Sequence, residues 1–226
     1  METREIKLID GSTYVIELPT KELQDHFNNP SNCTVEILHQ FNKLSWYSEY
    51  LTEDDKVILD LGGNVGLFAI HATPWASKIV TVEPTPSHFE LNKQLTSKFS
   101  HVERLQVAIS NTTGKTTFYT FPSNTTMNSL INRGGSSFEV DCITIPDLIE
   151  KLRLDYVNFI KLDIEGSEVI ALNDSIIKSF SDKVGKILIE FHEVNGIGIE
   201  IFEQMFIKYG YKIKHFAHDG LYCYKN

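Results

Sequence analysis

From Val57 onward, short apolar runs alternate with stretches of helical periodicity. Val57 to Leu61, Lys78 to Glu83, Arg104 to Ile109, Val157 to Asp163 and Lys186 to Phe191 predict strands, and Pro86 to Leu95, Ile145 to Leu152, Ser167 to Phe180 and Ile199 to Tyr209 predict helices. Near-continuous apolar strands separated by helices predict a mostly parallel sheet covered on both faces. Lys115 to Phe121 follows the turn-like Asn111-Thr112-Thr113-Gly114 and predicts an extra strand where a helix is due. Pro122 to Ser137, rich in Asn, Ser, Thr and Gly, is long for a connection and is expected to be either mobile or functional. Tyr211 to Ala217 and Leu221 to Tyr224 flank Asp219-Gly220 and predict a closing antiparallel hairpin.

Before this region, Glu5 to Leu18 alternates around Asp10-Gly11-Ser12 as a β-hairpin would, and Val35, Ile37, Leu38 and Phe41 fall near helical spacing. Leu44 to Tyr50 carries Trp46, Tyr47 and Tyr50, which are expected in the core, with a lid over the site as the sharper alternative. Residues 1–50 therefore read as an appendage of hairpin, helix and aromatics, and 51–226 as the main domain.

The 226 residues, 42% apolar and 23% charged, suit a globular chain. No apolar stretch approaches the roughly 18 residues of a membrane span, and Met1 to Glu5 leads into no signal-like segment. A cytoplasmic location without membrane insertion is expected. Cys33, Cys142 and Cys223 are too few and too scattered for a disulfide framework or a zinc knuckle. A formal charge of -9 without a basic stripe disfavours a nucleic-acid backbone as substrate, so no nucleic-acid partner is expected, and a neutral or cationic small molecule fits better.

The candidate chemistry begins at Asp60-Leu61-Gly62-Gly63-Asn64-Val65-Gly66, which follows a strand and opens into the helix-compatible Leu67-Phe68-Ala69-Ile70. Such a turn lets a ligand approach the main chain. Glu83 ends the next strand, where dinucleotide-type folds hold ribose hydroxyls. The turn lacks the full G-x-G-x-x-G of a pyrophosphate binder. Its leading carboxylate and internal amide suit the amino-acid end of S-adenosylmethionine (SAM) better than NAD.

A second acidic cluster, Asp163-Ile164-Glu165-Gly166-Ser167-Glu168, ends the fourth core strand, and Glu190-Phe191-His192-Glu193 ends the fifth. Ligands of open α/β sheets bind outside these carboxyl ends, so Asp163, Glu190 and His192 are expected to converge for acid/base or metal chemistry. Glu168 reads as a first-turn helix acid, and Lys161 is expected to face away from Asp163.

These residues resemble the FkbM-type family of SAM-dependent methyltransferases over roughly Val35 to Glu193. The resemblance is carried by Val57 to Gly66, by Val82-Glu83-Pro84-Thr85-Pro86-Ser87-His88-Phe89 and by Phe159 to Glu168. Smaller agreements lie at Ala108-Ile109-Ser110-Asn111 with Gly114 and at Ile189 to His192. Gly63 departs from the family's more usual alanine, a small change not expected to block SAM.

The resemblance implies a Rossmann-like class I methyltransferase fold, with a mostly parallel seven-stranded sheet ending in an antiparallel hairpin. It implies O-methylation of a hydroxyl on a sugar, glycan or secondary metabolite. Asp60, Gly62, Gly63, Asn64 and Gly66 would surround the methionine end, Glu83 the ribose, and Pro84, Val107 and Ala108 the adenine. Asp163, Glu190 and His192 would line the acceptor site. His192 is expected as general base; the competing mechanism makes Asp163 and Glu190 ligands of Mg2+. N-methylation and a non-catalytic SAM-binding module are the alternative functions.

Overall fold

The computed structural model describes residues 2–7, 13–18, 20–21, 24–25, 47–121, 127–216 and 220–225. The expected turn at Asp10-Gly11-Ser12, the helical spacing from Val35 to Phe41, Cys33, Trp46, residues 122–126 and Asp219 lie outside them.

Strands β1 (Glu2–Lys7) and β2 (Thr13–Leu18) pair antiparallel, as the alternation around residues 10–12 predicts. The main sheet contains β3 (Val57–Leu61), β4 (Lys78–Val82), β5 (Val102–Leu105), β9 (Val157–Leu162), β10 (Val184–Glu190), β11 (Lys212–Phe216) and β12 (Gly220–Tyr224). Its order is β11-β12-β10-β9-β3-β4-β5, with the pairs from β10 to β5 parallel and β12 antiparallel to both neighbours. The chain runs outward from β3 through β4 to β5, then returns to β9 on the other side of β3. The resulting switch point opens a crevice at the carboxyl ends of β3 and β9, where ligands of such sheets bind.

Helices α1 (Leu67–Ala72), α2 (Pro86–Leu95), α3 (Ile145–Lys151), α4 (Glu168–Ala171), α5 (Asp174–Phe180) and α6 (Glu200–Lys208) supply the outer layers. Strand alternation divides the core between the two faces. Leu59, Leu61, Val80, Val82, Ile160 and Leu162 pack with residues of α3, α5 and α6. Ile58, Ile79, Phe159 and Leu188 pack with residues of α1 and α2 and with Tyr47 and Tyr50, so those two aromatics are core residues.

Three expectations are corrected. Arg104 to Ile109 is not one strand: the chain leaves the main sheet after Leu105, and β6 (Ala108–Ile109) joins a three-stranded sheet with β7 (Gly114–Thr120) and β8 (Ser136–Ile143). Strand β8 was hidden at the edge of a polar stretch, although Phe138, Val140 and Cys142 alternate with polar residues. The helix expected from Ser167 to Phe180 breaks at Leu172, which is extended (φ -107, ψ 130). Asn173 then caps a new helix by accepting from the Ser175 and Ile176 N–H groups, both at 3.0 Å. Among the described residues no helix is long and apolar enough to cross a membrane.

Candidate active site

One row of polar residues crosses the floor of the crevice. Thr81 on β4, Asp60 on β3 and Lys161 on β9 are register partners and share the face that carries Ile58 and Phe159. All three are buried. Lys161 Nζ donates to the Gly62 carbonyl at 2.7 Å and lies 3.5 Å from Asp60 Oδ1 and 3.6 Å from Asp163 Oδ2. The expectation that Lys161 faces away from Asp163 is overturned, because residues two apart in a strand share a face. Burial alone would lower the Lys161 pKa, but Asp163, Asp60 and Glu190 outweigh it and hold the ammonium charged. Burial raises the Asp60 carboxyl above its usual range, against the pull of Lys161.

The glycine turn is pressed onto this row. Gly62 adopts φ 83, and a Cβ there would lie 1.8 Å from the Asp163 carbonyl oxygen, so both conformation and space demand glycine. The Gly62 and Gly63 N–H groups donate to the Val82 carbonyl at 3.0 and 2.8 Å, drawing the turn against the end of β4. There, Glu83 accepts from the Asn64 N–H at 3.0 Å and the Thr85 N–H at 2.8 Å. Burial raises the Glu83 pKa, partly offset by these donors. Asn92 on α2 donates to the Asn64 carbonyl at 3.1 Å and to Thr81 Oγ1 at 3.0 Å. Gly66, at φ 92, has Asn92 Oδ1 and Thr96 Cγ2 both 2.9 Å from where its Cβ would be. Asp60, Gly62, Gly63, Asn64, Gly66 and Glu83 thus form one connected cradle. Pro84 is buried directly after Glu83, and Val107 and Ala108 are buried where the chain passes from β5 to β6, with Val107 in the core cluster of Val82.

Across the crevice, the Asp163 N–H donates to the Leu61 carbonyl at 3.0 Å, which fixes the start of the acidic loop beside the glycine turn. His192 reaches this loop from the end of β10. Its Nε2 is 3.4 Å from Glu165 Oε2 and 4.0 Å from Glu190 Oε1, and its Nδ1 is 3.6 Å from Glu168 Oε1. Burial would lower the His192 pKa, but Glu168, Asp163 and Glu165 raise it to about 9. The ring is therefore an imidazolium at neutral pH, unlike the near-neutral base expected from its ordinary pKa. Glu168 is more than a first-turn helix acid: it is 0% exposed and accepts from the Ile164 N–H at 2.9 Å.

Asp163, Glu165 and His192 offer ligand atoms that all lie within 4.8 Å of one another. Glu165 thus stands where the sequence suggested Glu190. Glu190 instead receives a long hydrogen bond, 3.4 Å, from the Tyr47 hydroxyl. The described part of the long polar loop bridges both sides. Asn128 Nδ2 is 3.4 Å from Thr85 Oγ1, the Leu130 N–H donates to Ser167 Oγ at 2.9 Å, and Arg133 donates to the Glu165 carbonyl at 3.2 Å. Sequence reasoning missed Lys161, Glu165, Thr81 and Asn92 as site residues; the strand register was the signal that would have found the first and third.

A protein-family model described as the Methyltransferase FkbM domain matches residues 60–213. No curated protein matches the chain. Among solved structures, methyltransferase FkbM from Methylobacillus flagellatus KT aligns with a TM-score of 0.55 and 19% identity, covering 90% of this chain and 52% of that one. Monomeric WbdD aligns with a TM-score of 0.53 and 13% identity, covering 89% of this chain and 45% of that one. Magnesium protoporphyrin IX methyltransferase (ChlM) from Synechocystis PCC 6803, solved with bound SAM, aligns with a TM-score of 0.50 and 8% identity, covering 93% and 86%. At these identities the likeness is one of fold. The chain spans about half the length of the first two proteins.

Proposed function

The chain belongs to the FkbM methyltransferase domain family, and from that premise we propose that it transfers a methyl group from SAM to a hydroxyl oxygen of a sugar, glycan or secondary-metabolite acceptor. The observation that carries this reading is the closed contact between the glycine turn and Glu83, with Asn64 N–H 3.0 Å from the carboxylate, at the sheet's switch point. The residues fit the cofactor. Both Asp60 carboxylate oxygens are buried with no hydrogen-bond partner, Lys161 reaching Oδ1 only as an ion pair at 3.5 Å, and an acid with that acceptor capacity suits a ligand that brings an ammonium group.

In this reading Asp60, Gly62, Gly63, Asn64 and Gly66 hold the methionine end. Glu83 exchanges a backbone donor for the ribose hydroxyls, and Pro84, Val107 and Ala108 border the adenine. Bound SAM supplies an electrophilic methyl group. Asp163 spans both halves of the crevice and positions the acceptor oxygen, which must lie about 3 Å from its target and in line with the departing sulfur. Because His192 already carries a proton at neutral pH, Glu190 takes the hydroxyl proton, and Tyr47 holds that carboxylate in place. His192 steadies the negative charge that develops.

Calorimetry with SAM and S-adenosylhomocysteine tests the cofactor, and S-adenosylhomocysteine release across a panel of hydroxyl acceptors tests the reaction. Binding of both ligands, with turnover reduced roughly 100- to 10,000-fold in Glu190→Gln, is the expected result. No heat with either ligand, or full turnover in Glu190→Gln, overturns it.

A further inference from the structure

We propose that Asp163, Glu165 and His192 form a binding site for one divalent first-row metal ion of the manganese class, with Glu168 orienting the histidine from behind. The proposal rests on the methyl-transfer reading only for what the ion would do, which is to hold and acidify the acceptor hydroxyl.

The three side chains come from two adjacent strand ends, β9 and β10, and their ligand atoms gather within 4.8 Å. His192 has two distinct sides. Its Nδ1 is buried against Glu168 Oε1 at 3.6 Å, while Nε2 faces Glu165 Oε2 at 3.4 Å. An arriving ion displaces the Nε2 proton of the imidazolium; with Nδ1–H kept toward Glu168, the Nε2 lone pair then faces the two acidic ligands, the orientation that carboxylates behind metal-binding histidines favour.

Glu168 is a second observation at the same place. It is 0% exposed, its Oε1 is taken by the Ile164 N–H, and its Oε2 is buried with no hydrogen-bond partner. A carboxylate in that position requires a cationic neighbour, which His192 is when protonated or when it ligates an ion. Among the described residues, five carboxylates, Asp60, Asp163, Glu165, Glu168 and Glu190, gather around Lys161 and His192. Mixed imidazole and carboxylate donors favour Mn2+ over Mg2+, which prefers oxygen ligands and keeps several waters.

The test uses the full chain and Mn2+ alone, without SAM or acceptor, so that its result is separate from the methyl-transfer reading. Titration followed by electron paramagnetic resonance is expected to show one Mn2+ per chain, with spin-echo modulation from a directly bound nitrogen. Glu165→Gln and His192→Gln are expected to weaken binding at least about 10-fold and Glu168→Gln about 10- to 100-fold, with Asp174→Asn, which pairs with Lys208 elsewhere, unchanged. Absence of Mn2+ binding to the wild type, or binding without nitrogen coupling, overturns the site whether or not the variants fold. Mn2+ binding in a chain that binds no SAM would sustain the site and sink the methyl-transfer reading.

Discussion

The hydroxyl of Thr81 fills the space that a side chain at Gly63 would need: a Cβ on Gly63 would lie 1.9 Å from Thr81 Oγ1. The sequence treats Gly63 as a minor departure from alanine, but on this sheet glycine and threonine are complementary. Gly63→Ala is expected to cost about 1 to 3 kcal/mol by overpacking, because Thr81 Oγ1 also accepts from Asn92 and cannot move freely. Thr81→Ala in the same chain should recover more than half of that loss. Urea unfolding of the two single variants and the double variant measures the coupling; strict additivity would show that the contact is relieved elsewhere.

Glu83 serves the turn as well as any ligand. Glu83→Ala should weaken S-adenosylhomocysteine binding by about 1.5 to 3 kcal/mol, the range for hydrogen bonds to a charged group. It should also lower the melting temperature of the ligand-free protein, because the Asn64 and Thr85 N–H groups lose their acceptor. Calorimetry and thermal unfolding separate the two effects. Unchanged affinity with a lowered melting temperature would make Glu83 purely a brace.

The buried strands were legible because their side chains are apolar on both faces, and α2 was legible because His88, Leu91, Asn92 and Leu95 line its buried side behind a proline start. Strand β8 was not, since its pairing with β7 depends on a register that only the folded hairpin supplies. The same limit governed the site. Asp60, Asp163, Glu190 and His192 announce themselves by ending strands, whereas the buried position of Lys161 follows from its register opposite Asp60. His192 is the sharpest case: its residue type gives a near-neutral pKa, and only the three-dimensional gathering of Glu168, Asp163 and Glu165 carries it to about 9.

His88 should make the fold acid-sensitive. It is buried on α2, 3.9 Å from Glu83, and burial lowers its pKa from 6.5 to about 4. In the interval between these values the unfolded chain binds a proton that the native chain excludes, so stability falls as pH drops below about 6.5 and keeps falling to about 4. The loss between pH 7 and pH 4.5 should be roughly 2.5 kcal/mol. Glu83, whose carboxyl is raised by burial, acts in the opposite direction but is common to wild type and His88→Gln. Denaturant titrations at the two pH values should therefore show a shallower decline in His88→Gln. An identical decline in both would assign the acid sensitivity to other groups.

Lys161 is expected to matter for both fold and cofactor, and charge separates its two roles. Lys161→Met keeps much of the stem but leaves the buried Asp60 carboxylate facing no cation and the Gly62 carbonyl without its 2.7 Å donor. Removing one partner of a buried ion pair costs about 3 to 5 kcal/mol, partly avoided here if Asp60 takes up a proton. Lys161→Met should therefore lose stability chiefly above the raised Asp60 pKa and recover part of it as pH falls, because a protonated Asp60 no longer needs the ammonium. Asp60→Asn in the Lys161→Met chain should restore stability at neutral pH by removing the stranded charge. If Lys161 serves only to brace Gly62, that second substitution brings no recovery, and the pH profile of Lys161→Met runs parallel to that of the wild type. Chemical denaturation across pH 5 to about 8, with S-adenosylhomocysteine affinity measured on the same samples, distinguishes electrostatic support from a purely steric prop. A rescue of stability without a rescue of affinity would place the Asp60 charge itself in the cofactor's binding.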